Sequence, residues 1–130
     1  MELGNSFTLY PPLSTLGAET GRGENLNKIS KIPEDIENLR HLRTLGLCFN
    51  DLRSLPKELL KLKNLDTLDI SFNSNLKIET ELATLQQMHW LKYLNIIATN
   101  ADDITIDKLR KSLPKTKVDA KLNDIQIENE

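Results

Sequence analysis

The apolar side chains of this chain fall into three groups with the same internal spacing, and each group is followed by a polar residue. The groups are Leu42, Leu45 and Leu47 before Asn50; Leu65, Leu68 and Ile70 before Asn73; and Leu91, Leu94 and Ile96 before Thr99. The second group begins 23 residues after the first, and the third begins 26 residues after the second. Such a period is typical of a repeat architecture, in which each repeat is one structural unit stacked on the next.

The spacing inside each group predicts a short strand. Side chains two residues apart in a strand point to the same side, so Leu45 and Leu47 face one way while Thr44 and Gly46 face the other. One repeat cannot bury its apolar side alone, but stacked neighbours can. We therefore expect one continuous core built from three pairs: Leu45 with Leu47, Leu68 with Ile70, and Leu94 with Ile96.

The segments between the groups share a second string, NxLxxLP, in which x is any residue. It occurs at 50–56 and, with isoleucine in place of leucine, at 27–33; a looser copy at 5–11 reads as the second half of a repeat whose strand is missing. The asparagines of this frame lie where the chain leaves a strand, and an amide side chain can both donate to and accept from buried backbone groups. Asn27, Asn50 and Asn73 are therefore interpreted as a structural ladder and not as ligands.

Two later segments predict helices. Residues 79–88 carry Leu82, Leu85 and Met88 among good helix formers, which favours a helix behind the third strand. The last segment predicts a short helix that is capped by Asp107 and ends before Pro114, followed by a final strand around residue 118.

The whole pattern resembles the leucine-rich repeat family in its 23-residue form, LxxLxLxxNxLxxLPxxIxxL, over roughly residues 25–118. The resemblance implies an α/β fold, a short right-handed solenoid of about four to five turns, with parallel strands on the concave face and loops and short helices on the convex face. It also implies a non-catalytic module that binds another protein. We divide the chain into a degenerate N-terminal repeat or cap with a glycine-rich loop (1–24), a leucine-rich repeat domain (25–122) and an acidic C-terminal tail (123–130).

Residues 1–24 depart from the pattern. Charged residues at 19–24 fall in the frame of the apolar positions, and charges cannot fill a buried core unpaired. One solution moves the strand to 13–18 and leaves 19–24 as a loop, for which Gly21 and Gly23 are suited. A solenoid end without a polar cap exposes apolar side chains, so the chain either begins inside a longer array or self-associates through this open end.

Composition and charge exclude several classes of function. The 130 residues include 17 basic and 19 acidic side chains, a net charge of −2, which argues against nucleic acid as the main partner. The single cysteine, Cys48, cannot form an intrachain disulfide, and the sequence contains neither a secretory signal nor an apolar run long enough to span a membrane. These features predict a cytoplasmic protein that does not contact a membrane.

The sequence contains no pattern for catalysis or metal binding. Cys48 and His41 are separated by roughly 23 Å along an extended strand, so they cannot form a nucleophile and base pair. His89 lies in another repeat, no spacing suits a metal ion, and Asp102 and Asp103 are interpreted as solvated turn residues. We expect no enzyme activity, no metal and no cofactor.

The outward strand positions remain as the candidate site. Neighbouring parallel strands lie about 4.8 Å apart, so equivalent positions of successive repeats form rows across the sheet. The rows are Arg43, Asp66 and Lys92; Thr44, Thr67 and Tyr93; Gly46, Asp69 and Asn95; Cys48, Ser71 and Ile97; and Phe49, Phe72 and Ala98. Lateral pairing between neighbours explains the alternating charges of the first row as well as binding does.

The interpretation that these rows favour is recognition of a partner protein by the concave face. Rigid aromatic anchors with a few polar groups are the make-up of a protein interface. The expected contacts are Thr44, Thr67, Asp69, Tyr93 and Asn95, with Phe49 and Phe72 at the edge. A position packed into the rim explains the two phenylalanines equally well. Two other classes stay open. One is a fragment or scaffold portion of a larger leucine-rich repeat receptor, effector or signalling protein. The other is a non-catalytic regulator that docks through its convex helices, near Gln87, or through its open N-terminal end.

Overall fold

The chain forms a parallel sheet of five strands that are neighbours in sequence order. The structure is a computed structural model that describes residues 6–8 and 29–125. The strands are β1 (Ser6–Thr8), β2 (Thr44–Gly46), β3 (Thr67–Asp69), β4 (Tyr93–Asn95) and β5 (Lys117–Asp119). Parallel strands need a connection that returns to the starting edge of the sheet, so every repeat is a strand and a return segment. The side-by-side pairing expected for the three leucine groups is confirmed.

The return segments carry short helices. They are 3-10 helices at Glu34–Asn38 and Lys57–Lys61, α1 (Ile78–Gln86), α2 (Asp103–Ser112) and a last 3-10 helix at Leu122–Asp124. Pro33 and Pro56 stand directly before the first two 3-10 helices, where a residue without an N–H leaves no donor unpaired. Helix α1 confirms the helix expected at 79–88, within two residues at each end.

The core predicted from the leucine spacing is confirmed. Leu45, Leu68 and Leu94 face one another across the sheet, and none of the three side chains is exposed to solvent. Burial of each leucine removes its apolar side chain from water and stabilises the fold by roughly 1.5 to 3 kcal/mol. Leucines of the return segments close the core from behind: Leu59, Leu62, Leu76, Leu85 and Leu109.

The predicted asparagine ladder is also confirmed for its two described members. Asn73 is fully buried, and its side chain bonds the backbone of two successive repeats. Its Oδ1 accepts from the amide of Leu52 at 2.9 Å, and its Nδ2 donates to the carbonyls of Leu47, Ile70 and Ser71 at 3.0 to 3.1 Å. Asn50 accepts from the amide of Ile29 at 3.0 Å in the same way. Asn27 lies outside the described residues.

The first strand corrects the interpretation of residues 5–11. Ser6–Thr8 pairs in parallel with β2, and Phe7 lies opposite Leu45. This stretch therefore contains a strand and is not the second half of a repeat that lacks one. A three-residue edge strand needs only a few backbone hydrogen bonds, so it forms without the LxxLxL spacing. The other predictions for this end, the strand at 13–18, the loop at 19–24 and self-association through an open end, concern residues outside the described ranges.

Helix α2 begins earlier than the sequence predicted. Asp102 is its N-cap residue, and Oδ1 accepts from the Thr105 amide at 2.8 Å; this hydrogen bond lowers the pKa of the Asp102 carboxyl. Asp107, the cap expected from the sequence, lies inside the helix and pairs with Lys111 at 3.1 Å. Asp103 stands in the first helical turn, where a negative charge is favourable. Asp102 and Asp103 were predicted to be solvated turn residues; both are exposed, but Asp102 caps the helix and Asp103 lies in its first turn, so the turn assignment is wrong.

The last repeat is closed by Asp124. The predicted final strand is confirmed as β5. Asp124 Oδ2 accepts from the backbone amides of Ala120 and Lys121, both at 2.8 Å, and from Arg110 Nη2 at 2.9 Å. Arg110 also donates to the carbonyl of Val118 at 2.8 Å, so α2, β5 and the final 3-10 helix are joined at one point.

Candidate functional site

The register of the sheet aligns the outward rows as predicted. Thr44 lies opposite Thr67, and Thr67 lies opposite Tyr93. The next outward row, Gly46, Asp69 and Asn95, aligns in the same register. Strand β5 adds one residue to each row, Lys117 and Asp119, which the sequence analysis did not include because β5 lacks the leucine spacing. The two rows together form the outward strand face, and Gly46 and Asp119 are its buried members.

Two of the expected contact residues hold the turn that follows their own strand. Asp69 Oδ1 accepts from the backbone amide of Ser71 at 3.0 Å and from its hydroxyl at 2.6 Å. Asn95 Oδ1 accepts from the amide of Ile97 at 3.0 Å. A side chain that accepts from the amide two residues later replaces a backbone turn hydrogen bond. Asp69 and Asn95 therefore have a structural role besides any role in binding.

Tyr93 is held in place by the strand beside it. Its hydroxyl donates to Asp119 Oδ2 at 2.6 Å, and Lys117 Nζ lies 3.3 Å from Asp119 Oδ1. Lys117 Nζ also stands 5.9 Å from the centre of the Tyr93 ring. Burial, and then the hydrogen bond to Asp119, raise the pKa of the Tyr93 hydroxyl well above its usual range, so it stays a hydrogen-bond donor. Tyr93, Lys117 and Asp119 thus form one fixed polar cluster at the β4–β5 end of the face.

Phe49 and Phe72 form a stacked pair at the carboxyl ends of the strands. Their ring centres are 4.4 Å apart, and their planes are inclined by 10°. They are 51% and 38% exposed. With Ala98 they make up the row that we call the rim, and all three residues have a left-handed backbone, with φ of 60°, 56° and 60°. Of the two positions that the sequence left open for the phenylalanines, the structure has the exposed one.

The row Cys48, Ser71 and Ile97 was expected on the outward side, and this expectation is wrong. The three residues are 6%, 3% and 2% exposed. The alternation of a strand holds only while the backbone stays extended, and it ends here because the next residue in each repeat turns into the left-handed region. The sequence could not show this turn, since Phe49 and Phe72 are residue types that seldom adopt it.

The charge of the row Arg43, Asp66 and Lys92 is partly neutralised by an ion pair within the row. Arg43 Nη2 lies 3.4 Å from Asp66 Oδ2, so the lateral pairing proposed from the alternating charges is confirmed for this pair. Lys92, the third member, is exposed and has no ion pair within the described residues.

A cleft beside the segments that lead into β3 and β4 was not found by sequence reasoning. It encloses about 370 Å³ and is lined by Leu60, Lys63, Gln86, Gln87, His89 and Trp90. Lys63 Nζ stands 4.0 Å from the centre of the Trp90 ring, and the His89 ring meets Trp90 edge-on at 5.4 Å. The sequence signal for this cleft is that all of its lining residues lie in or beside the segments that lead into β3 and β4.

The described part of the chain shows neither a metal-binding group nor a membrane span. No three histidine, cysteine, aspartate or glutamate side chains converge within residues 29–125. Among the same residues, no helix is long and apolar enough to cross a membrane.

Several solved structures are similar to this chain. A leucine-rich repeat protein of Leptospira interrogans is 32% identical with a TM-score of 0.61, and the match covers 71% of this chain and 23% of that one. An internalin of Listeria monocytogenes is 20% identical with a TM-score of 0.56 over 68% of this chain and 24% of its own. The plant peptide hormone receptor RGFR1, solved in complex with RGF2, is 24% identical with a TM-score of 0.50 over 70% and 14%.

These comparisons establish the fold more firmly than the function. At 20% and 24% identity, the internalin and the plant receptor support the architecture alone. The chain spans less than a quarter of the length of each of the three proteins. No protein-family model matches the chain, and no curated protein does.

Proposed function

We propose, from the premise that this chain is a leucine-rich repeat protein, that it is a non-catalytic interaction module whose concave strand face recognises a partner protein. Solenoids of this kind use the extended concave surface made by their stacked repeats for binding. The proposed contacts are Thr44, Thr67, Asp69, Tyr93 and Asn95, with Phe49 and Phe72 at the rim.

The exposed pair Phe49 and Phe72 is the observation that carries this proposal. Large aromatic side chains at the centre of an interface supply much of the binding energy. The pair is rigid, because the rings stack on each other and the backbone amides of Phe49 and Phe72 donate to the carbonyls of Ser71 and Ile97 in the next repeats, at 3.1 and 2.7 Å. A rigid surface loses little conformational entropy when it binds. Two exposed rings held in this way are costly to keep in water, which supports a role in binding.

The polar groups beside the rim suit a partner that is read by hydrogen bonds. Thr67 and Tyr93 are half-buried on the strand face. Asp69 and Asn95 each use one side-chain oxygen for their turn, which leaves Asp69 Oδ2 and Asn95 Nδ2 facing the outward side without a hydrogen bond inside the described residues. The acceptor and the donor can orient a bound partner through hydrogen bonds, and the aromatic pair beside them supplies apolar contact area.

The test is affinity capture from native cell extract with a variant that removes the rim aromatics. Asparagine tolerates the left-handed backbone, so Phe49→Asn with Phe72→Asn should change the free energy of unfolding by less than about 1 kcal/mol. We expect this double variant to lose the captured protein. The matched control, Ile104→Gln with Leu122→Gln, removes two exposed apolar side chains from α2 and the last 3-10 helix and should keep it.

A second variant tests the strand row without touching the rim. Thr67→Arg places a large charge at the middle of the face and should also abolish capture. If both the rim variant and Thr67→Arg retain the same partner as the unmodified chain, the concave face is not the binding surface.

A second candidate is that the chain is a structural portion of a larger leucine-rich repeat receptor, effector or signalling protein. The observation that favours it is the small share of each similar structure that the chain spans, 14% to 24%. In-frame repeats upstream of Met1 in the coding sequence would support this candidate, and the partner surface would then extend over those repeats.

A further inference from the structure

The amino ends of the strands form a basic edge of the molecule. We use this name for the four segments that lead into β2 to β5, residues 39–43, 62–66, 88–92 and 113–116. They contain five lysines and arginines, Arg40, Arg43, Lys63, Lys92 and Lys115, and a single carboxylate, Asp66. Asp66 is already paired with Arg43. The whole chain has a net charge of −2, so this concentration of positive charge is local.

Contacts between successive segments make the basic edge continuous. Asn64 Nδ2 donates to the carbonyl of Arg40 at 3.0 Å, which joins the first two segments. Lys63 stands over the Trp90 ring of the third segment. The Lys117 amide donates to the carbonyl of Lys92 at 2.9 Å, which joins the third segment to β5. Lys63, Lys92 and Lys115 are all exposed and have no ion pair within the described residues.

Two clefts lie along this edge. The first is the cleft of about 370 Å³ at Trp90 described above. The second encloses about 240 Å³ and is lined by His89, Leu113, Pro114 and Lys115. His89 lines both, so the clefts are adjacent, and each has an apolar wall and one lysine. Each cleft can therefore accept an apolar side chain beside the ammonium group of a lysine.

We propose that the basic edge binds an acidic peptide segment of a partner protein, with apolar side chains in the two clefts and carboxylates paired with Lys63 and Lys115. Charge complementarity between a basic patch and an acidic segment steers association and sets the orientation of the segment. Lys63 and Lys115 precede β3 and β5, strands that lie about 10 Å apart at 4.8 Å per strand, a distance that about three residues of an extended peptide span. This surface lies at the opposite ends of the strands from the aromatic rim, so the proposal does not depend on the concave-face proposal.

The apolar walls favour a peptide over a nucleic acid. A protein that binds nucleic acid places many cations along a phosphate backbone, and its domain carries a strong positive charge. Here two lysines without an ion pair in the described residues, Lys63 and Lys115, line clefts with leucine, proline and tryptophan side chains, in a chain of net negative charge.

The chain has a built-in reporter for the test, because Trp90 is its only tryptophan. The probe is a short capped peptide composed of leucine and glutamate, and its matched control carries glutamine in place of every glutamate. We expect the emission of Trp90 to change and saturate with the glutamate peptide but not with the glutamine peptide. Raising the salt concentration should weaken the response, since exposed ion pairs are screened.

Variants place the binding on the basic edge. Lys63→Gln with Lys115→Gln should weaken the glutamate peptide about tenfold, the effect of losing two exposed ion pairs. The matched control, Lys77→Gln with Lys108→Gln, removes two exposed lysines elsewhere and should leave the affinity unchanged. Thermal unfolding of each variant separates loss of binding from loss of fold.

Three results would overturn the proposal. They are an equal response to the glutamine peptide, an unchanged affinity in the Lys63 and Lys115 double variant, and a stronger response to a thymidine oligonucleotide than to the glutamate peptide. The concave-face variants Phe49→Asn and Phe72→Asn should bind the glutamate peptide normally, so failure of one proposal leaves the other testable.

Discussion

Within the described residues, three adopt a left-handed backbone although none of them is glycine. Phe49, Phe72 and Ala98 have φ near 60°. This conformation costs a residue with a Cβ about 1 to 2 kcal/mol, whereas glycine adopts it freely. We expect Ala98→Gly to raise the free energy of unfolding by about 0.5 to 1 kcal/mol, measured by urea denaturation, because relief of the strain outweighs the extra freedom of glycine in the unfolded chain.

The same substitution in a helix provides the control. Ala83 is exposed in the middle of α1, where glycine should lower the free energy of unfolding by about 1 kcal/mol. Opposite signs for Ala98→Gly and Ala83→Gly identify backbone conformation as the cause. A loss of stability at both positions would contradict the assignment of strain to the rim.

The polar cluster of Tyr93 gives a second prediction for a single residue. Tyr93→Phe removes the donor that Asp119 Oδ2 accepts from, and Asp119 is 3% exposed. A hydrogen bond to a charged group contributes about 1.5 to 3 kcal/mol, so we expect a loss near the lower end of that range because Tyr93 is only half-buried. In the Asp119→Asn background the loss should shrink, and an equal loss in both backgrounds would mean that the two side chains are not coupled.

The core within the strands was easier to predict from the sequence than the residues at the strand ends. The burial of Leu68 follows from its spacing, and the ladder role of Asn73 follows from its place after a strand. The burial of Cys48 and Ser71 could not be predicted, because it depends on a left-handed residue directly after each of them. The double role of Asp69 depends on the same local turn. The spacing of apolar residues therefore predicts the core, whereas the backbone dihedral angles after each strand determine which residues at the edge of the site are buried.

At the scale of the elements, the junction of β5, α2 and the last described 3-10 helix is expected to respond to pH. The backbone amide of Ala120 is the main cause that lowers the pKa of the Asp124 carboxyl, and Lys121 and Arg110 add to it. A carboxyl with a lowered pKa stabilises the fold above its ordinary value near 4, and this contribution is lost as the pH falls through the value in the folded protein. We expect Asp124→Asn to be less stable than the unmodified chain at pH 7.

The pH profile of the difference is the measurement. Thermal unfolding at pH 7, 5 and 3 should show the difference between the two proteins shrinking as the pH falls, because the contribution of the charged Asp124 carboxylate is lost as the pH approaches its lowered pKa. Asp107→Asn is a suitable control, since that carboxyl makes only an exposed pair with Lys111 within its own helix. A constant difference between pH 7 and pH 3 would exclude the charge of Asp124 as the cause.

Strands were predicted better than helix ends for a physical reason. A strand of three residues is fixed by the apolar pairs that stack on its neighbours, and these pairs are visible in the sequence. The start of α2 depends on which carboxylate caps the first amides, and the sequence pattern assigned this role to Asp107. The structure has Asp102 in this role because the residues after it, Ile106 and Leu109, then face the core. The start of α2 is therefore determined by tertiary packing and not by local capping preference.

For the molecule as a whole, the repeat period was sufficient to predict the architecture but not the partner surface. Stacking of one apolar pair per repeat produces a sheet whose order follows the sequence, and this is the order observed from β1 to β5. The basic edge arises from segments that share no repeated charge at a fixed position, so aligning the repeats does not find it. It becomes visible only when the strand register places Lys63, Lys92 and Lys115 at the same edge.

The solenoid architecture also predicts which strands lose stability when one buried residue is substituted. In stacked repeats each unit contacts only its neighbours, so stability is approximately a sum of repeat terms and terms for neighbouring pairs. Leu68 is fully buried in β3 and has a strand on either side. Leu68→Ala should cost about 3 kcal/mol by leaving a cavity, and hydrogen exchange should show loss of protection in β2, β3 and β4 together.

Val118→Ala is the matched substitution at the end of the sheet. Val118 is 6% exposed in β5, which pairs with β4 as its only neighbour in the described sheet. The smaller side chain and the single neighbour predict a cost of about 1 kcal/mol, with exchange increased in β5 and α2 while β2 keeps its protection. If both variants instead increased exchange evenly over all described strands, the chain would unfold as one cooperative unit, because its repeats would be too few for local opening to cost less than global unfolding.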